Sequence, residues 1–259
     1  MTTSADTDPQ WVPPVDELAE TCAAIAFMAL DASKLAPREP TGDLNQIDAA
    51  LDQGASVNIL RFAHEATTGY LQGAGDLLHS LARLAKEHPP AISPSVLARC
   101  TAEYAAFAWW LSDPTDSPEQ RASKSRRISQ TALNEHTSEP GLNEFRHRFN
   151  AWSSRTRLPK TGKPDPETLI KTMLGTAYDE QVKATSRYVH PDAITLVTTM
   201  VSADRGHPRN HQVVWNDAMF AAWAVIAATE RVTGIRDGDL STIRSAKLAF
   251  NRLVDMVAD

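Results

Sequence analysis

Cysteine is nearly missing from this chain. Cys22 and Cys100 are too few for a disulfide framework and lack the spacing of a zinc site. Both thiols are expected to be buried on helical apolar stripes, reduced and inert, in a reducing, cytoplasmic compartment. Glycine is scarce too, at 11 residues, and no Gly-rich phosphate loop or dinucleotide fingerprint occurs, which excludes the P-loop and Rossmann classes. No apolar run approaches the roughly 18 to 20 residues of a membrane span, so no membrane association is expected. The first ten residues carry neither positive charge nor an apolar centre, so no secretory leader is read there. His207 and His211 stand at i, i+4, but Pro208 follows the first and no Glu accompanies it. With no compact ligand set anywhere, neither a metal nor a cofactor is expected.

What is present is helical. Hydrophobic residues make up 42% and charged residues 22%, enough apolar material for a packed core. Residues 1–14 hold three prolines with little periodicity and read as a mobile tail; residues 15–259 read as one all-α domain. The 3.6-residue period marks helices over 15–30 and 57–86, the latter with Ile59, Ala63, Ala66, Tyr70, Leu77, Leu81 and Leu84 on one stripe. Ser93-Pro94 and Ser117-Pro118-Glu119 are start signals for helices running to Leu111 and to about Glu135. A short helix over 142–152 leads into a loop over 153–166, and Asp165-Pro166-Glu167 opens a helix running to His190. Helices over about 209–232 and 239–257 complete the chain. The run AMFAAWAVIAA at 218–228 is apolar on every face, which predicts a central helix with the others packed around it.

Charge is unevenly distributed. Residues 1–120 hold 6 basic against 17 acidic residues, 121–163 hold 10 against 3, and 164–259 hold 10 against 12. The basic segment includes Arg126, Arg127, Arg146 and Arg148, which we take, with Arg187, as candidate anion-binding residues. The alternative is a basic face packed near the acidic half or simply solvated.

Two segments near the C-terminal third carry histidines. In YDEQVKATSRYVHP, residues 178–191, Asp179, Ser186 and His190 share one helical stripe, and Pro191 places His190 at a helix end, where the macrodipole favours the imidazolium. Fourteen residues later, Arg205-Gly206-His207-Pro208-Arg209-Asn210-His211 precedes the apolar helix. Arg205, His211 and His190 are the candidate catalytic residues. Two imidazoles beside Arg187 and Arg205 would hold a phosphate and exchange protons near neutral pH.

The spacing Tyr178-x7-Ser186-x3-His190-Pro191 resembles a Tyr…Ser…His-Pro signature of bacterial all-helical families of unknown function. The stretch 94–121, with Arg99, Glu103, Trp109-Trp110-Leu111 and Asp113-Pro114, is similar to the corresponding part of related proteins. Arg205-x5-His211 in turn resembles the signature of HEPN-type helical ribonucleases, although Gly206 replaces a polar residue and Pro208 interrupts the motif. That resemblance implies that Arg205 stabilises a phosphate and that His211 acts in metal-independent acid–base cleavage through the RNA 2′-OH.

The sequence thus supports a helical regulatory or partner-binding protein with an anion-friendly basic region. Its partner is expected to be a protein or a second copy of the chain, with RNA or another polyanion as the alternative. Two rival readings are a HEPN-like ribonuclease or other nucleic-acid-acting enzyme, and a small-molecule enzyme with an inter-helix pocket lined by Trp109, Trp110, Trp215 and Trp223.

Overall fold

The computed structural model describes residues 14–86, 92–162, 164–189 and 209–258, with the side chains of residues 209–211 and 257–258 outside that description. These residues form ten α-helices: α1 (Val15–Ser33), α2 (Leu44–Asp52), α3 (Ile59–Lys86), α4 (Ser93–Leu111), α5 (Pro118–Glu135), α6 (Asn143–Arg155), α7 (Pro166–Leu174), α8 (Asp179–Val189), α9 (Arg209–Ile235) and α10 (Ser241–Ala258). The all-α class is as expected, and no strand occurs among the described residues beyond an isolated bridge between Glu39 and Gly42.

Two of the three start signals act as read; at the third, Ser93 is itself the first residue of α4 and makes no capping hydrogen bond, leaving Pro94 in the first turn as the signal. Ser117 and Gln120 form a reciprocal capping box at α5, with Pro118 in the first turn. Asp165 accepts from the Thr168 amide at 2.8 Å to cap α7. Three boundaries differ. The loop expected over 153–166 begins only after Arg155, because Phe149 and Trp152 anchor the inner face of α6 and carry the helix another turn. The helix expected to run from 165 to 190 is two helices, since Gly175 at φ +76° ends α7 and a short 3-10 turn intervenes.

The third difference is α2, which was not expected. Its inward face is acidic rather than apolar: Asp48 and Asp52 are buried. Asp48 accepts from the Leu60 and Arg61 amides at 2.8 and 3.3 Å, and Asp52 from those of Val57 and Asn58 at 2.7 and 3.2 Å. Amide groups at and just before the start of α3 thus find acceptors on a neighbouring helix, where negative charge also suits the dipole.

The main core is assembled from α1, α3, α4 and α9, with α7, α8 and α10 packed on it. Helix α9 lies against α1, α3 and α4, as its all-round apolar run predicts, with Ala218, Phe220, Ala221, Ala224, Val225, Ile226 and Ala228 fully buried. Its remaining seam, at Trp223 and Ala227, is half-buried, and Trp223 stacks on Phe250 of α10. Residues Gln212–Ile235 are apolar and long enough to cross a bilayer, but 72% of that stretch's most apolar window is buried, so its apolarity serves packing. The buried face of α3 is shifted from the expected stripe. Ile59, Ala63 and Leu81 are buried, but Ala66, Tyr70, Leu77 and Leu84 are half-buried, and Leu60, His64, Thr67, Leu71, Ala74 and Leu78 are buried instead, because α1, α4, α5 and α9 all pack on this helix.

A second, smaller core joins α2, α5 and α6. Val57, Ile59, Ala122, Leu133, Phe149 and Trp152 form it, and the Trp152 indole donates to the Leu51 carbonyl at 3.0 Å. The satellite is fastened to the main body by a buried ionic cluster. Glu39 accepts from Arg121 of α5 at 2.7 and 2.8 Å and from His64 of α3 at 2.9 Å, and Arg121 also donates to the Asp113 carbonyl. All three side chains are at most 3% exposed.

Two outcomes follow from this arrangement. Arg121→Ala leaves Glu39 buried without its principal cation and should cost about 3–5 kcal/mol in urea unfolding, whereas Lys34→Ala, which breaks an exposed pair, should cost less than about 1 kcal/mol. The cysteines should also differ. Cys22 is fully buried and burial pushes its thiol up to about 12, while Cys100 is only half-buried rather than buried as expected, because it lies at the margin of the α4 packing face. A thiol reagent added to native protein should label Cys100 and leave Cys22 unmodified until unfolding.

Candidate functional site

The expected catalytic trio falls at the junction between α8 and α9. His190 and Arg205 lie outside the described residues; His211 is in the first turns of α9, its side chain outside the description. Arg187 is exposed in the last turn of α8.

Between α4, α8 and α9 the structure reveals a polar network that sequence reasoning passed over. Asp217 of α9 is 1% exposed. It accepts from the Ser95 hydroxyl of α4 at 2.5 Å and from the side-chain amide of Gln181 of α8. One turn further along α4, buried Arg99 pairs with Glu103 at 2.8 Å and reaches the Val182 carbonyl of α8 at 3.4 Å. Helix α8 is therefore held on α4 and α9 by polar contacts at both Gln181 and Val182. Burial pushes the Asp217 carboxyl up to about 6, against the opposing hydrogen bonds of Ser95 and Gln181. Such an acid can retain a proton close to neutral pH inside the helical body. The available signal was a single carboxylate one position before an apolar run of eleven residues.

The basic segment divides into internal and exposed cations. Arg121 belongs to the Glu39 cluster. Lys124 pairs with Asp116, donates to the Trp110 carbonyl at 2.7 Å and sits over the Trp110 ring. Arg146, expected as an anion contact, donates to Asn143 and to the Leu133 and His136 carbonyls at the end of α5. Arg126 and Arg127 are half-buried, and burial lowers the pKa of Arg126. Arg148 is exposed. Arg155, one register of seven further along α6, is exposed beside it, followed by exposed Arg157 and Lys160. Residues 156–162 are held near α5 through Ser123, which donates to the Pro159 carbonyl and accepts from Thr161. Helix α8 packs on α4, α7 and α9, while α5 packs on α2, α3 and α4, so Arg187 and the α5–α6 cations belong to different parts of the fold.

Among the described residues the four tryptophans are engaged in separate contacts. Trp109 lies under the Arg231 guanidinium, whose carbon is 3.6 Å from the ring centre, Trp110 faces Lys124, Trp223 stacks on α10, and Trp215 is buried on α9. No group of three or more His, Cys, Asp or Glu side chains suited to a metal occurs among the described residues. Comparison of the chain with protein-family models, curated proteins and solved structures found no match.

Asp217 has a measurable signature. The folded protein keeps this carboxyl protonated up to about pH 6, while the unfolded chain ionises it near 3.8. Its contribution to stability is therefore present below about pH 4 and lost as pH rises through about 6, a loss of roughly 3 kcal/mol. Unfolding free energies of the parent protein relative to Asp217→Asn, measured from pH 4 to pH 7, should show the parent losing ground across that window. A pH-independent difference would contradict the assignment.

Proposed function

We propose that this chain is a regulatory or partner-binding helical protein that engages a polyanion through the outer face of its α2–α5–α6 satellite. One observation carries this reading: Arg148, Arg155, Arg157 and Lys160 are exposed and form no ion pair among the described residues, whereas Arg121, Lys124 and Arg146 are committed to internal contacts. The aromatic residues of the same region are already used. Phe149 and Trp152 are buried in the small core and Phe145 packs against it, so the large aromatic rings of this segment are committed to packing. Recognition is accordingly by phosphate charge, tolerant of sequence. RNA is the partner to test first.

Binding of a fluorescent single-stranded RNA, followed across salt concentrations, should give a log–log slope of about −3, at about −0.7 for each of four phosphate contacts. The pair Arg148→Ala/Arg155→Ala should roughly halve that slope without changing the melting temperature, since both side chains are exposed. Absence of binding at low salt, or a larger effect from Arg126→Ala/Arg127→Ala, would overturn the assignment of this face. Recovery of cut RNA, abolished by His211→Ala, would favour the ribonuclease reading instead.

A further inference from the structure

A cavity of about 330 Å³ opens between α3, α4, α5 and residues 164–166, a volume at the lower end of the range for small-molecule sites. Tyr70 and Phe107 form its aromatic wall, Ile128 the apolar side facing them, and Pro164 and Pro166 one edge; Glu135 supplies a carboxylate. The aromatic wall is set by the helix packing itself. Tyr70 and Phe107 are stacked, with ring centres 5.0 Å apart and planes 16° from parallel, and Tyr104 meets Tyr70 edge-on at 5.7 Å. Tyr104 can lie there because residue 73 is glycine: a Cβ on Gly73 would stand 2.5 Å from the Tyr104 ring.

The carboxylate is unusual in its setting. Glu135 ends α5, at the negative pole of the helix dipole, and forms neither an ion pair nor a hydrogen bond among the described residues. Arg146, nearby in the fold, is engaged with the Leu133 and His136 carbonyls. The Tyr70 phenol is pushed up by burial, by Tyr104 and by the Glu135 charge, which places that charge within electrostatic reach of the aromatic wall.

We propose that this cavity binds a small organic monocation bearing an aromatic ring, with the ring against Tyr70 and Phe107 and the ammonium at Glu135. Aromatic faces attract both flat rings and cations, and an uncompensated carboxylate beside them selects positive charge over a neutral or anionic analogue. This site is separate from the basic face of α6 and does not depend on it.

Calorimetric titration of the full chain with tryptamine, tryptophol and indole-3-propionate compares one ring with a cationic, a neutral and an anionic tail. Tryptamine should bind about tenfold or more tightly than tryptophol, and indole-3-propionate should not bind. Glu135→Gln should reduce tryptamine to the level of tryptophol, and Phe107→Leu should weaken both. Because Glu135 is exposed, its variant should melt with the parent and keeps the test independent of any folding defect in Phe107→Leu. No heat from tryptamine at millimolar concentration, equal affinity for tryptamine and tryptophol, or unchanged tryptamine affinity in Glu135→Gln would each overturn the proposal.

Discussion

The charge on Glu39 cannot be left alone inside the protein, and much of the architecture answers that constraint. Its side chain is wholly buried in a segment that belongs to no helix. Arg121 reaches it from α5 and His64 from α3, so the segment, the central layer and the satellite meet at one carboxylate. A second buried arginine works in parallel. Arg236, just beyond α9, donates to the Ser33 and Leu35 carbonyls at and just past the end of α1 and to the His64 carbonyl and Thr68 hydroxyl on α3. Desolvating such charges offsets much of their attraction. Their effect is specificity: an arrangement that separates Glu39 from Arg121 leaves an uncompensated ion in the interior, so the satellite has one way to dock.

The same rule, that buried charge must be answered, sorts the basic segment. Cations close to acidic or carbonyl partners are drawn inward, as Lys124 is to Asp116 and Arg146 is to the end of α5. Those on the outer face of α6 have no acidic partner among the described residues, Arg155 bonding only to the Ala151 carbonyl of its own helix, and they face solvent. The acidic first half and basic middle are thus joined through a few internal pairs, and the surplus positive charge is concentrated on the satellite. Asp217 is the complementary case. With no cation beside it among the described residues, burial is answered by two hydrogen bonds and by a carboxyl group that stays protonated at higher pH.

Local signals made most of the helices legible. Ser117-Pro118 and Asp165-Pro166 act within a few residues, through caps and fixed φ angles, while the apolar patterns of 57–86 and 218–228 mark which surfaces of each helix can be buried. Helix α2 was not legible because its buried face consists of aspartates whose partners are amides around the start of α3. The polar network at Ser95, Gln181 and Asp217 was hidden for a related reason: its members are 36 to 122 positions apart in the chain, and none is a defining residue of a motif.

The sequence by itself determined the all-α class, the central position of the apolar helix and the surplus of positive charge over 121–163, because composition and periodicity are properties of the chain before it folds. Only the tertiary structure decided which arginines would be bound inside and which left on the surface. It also decided that Tyr70, Phe107 and Glu135 would share a cavity, and that a lone aspartate on α9 would meet a serine and a glutamine from two other helices. Those outcomes depend on distances between residues remote in the chain, and such distances exist only once the helices have packed.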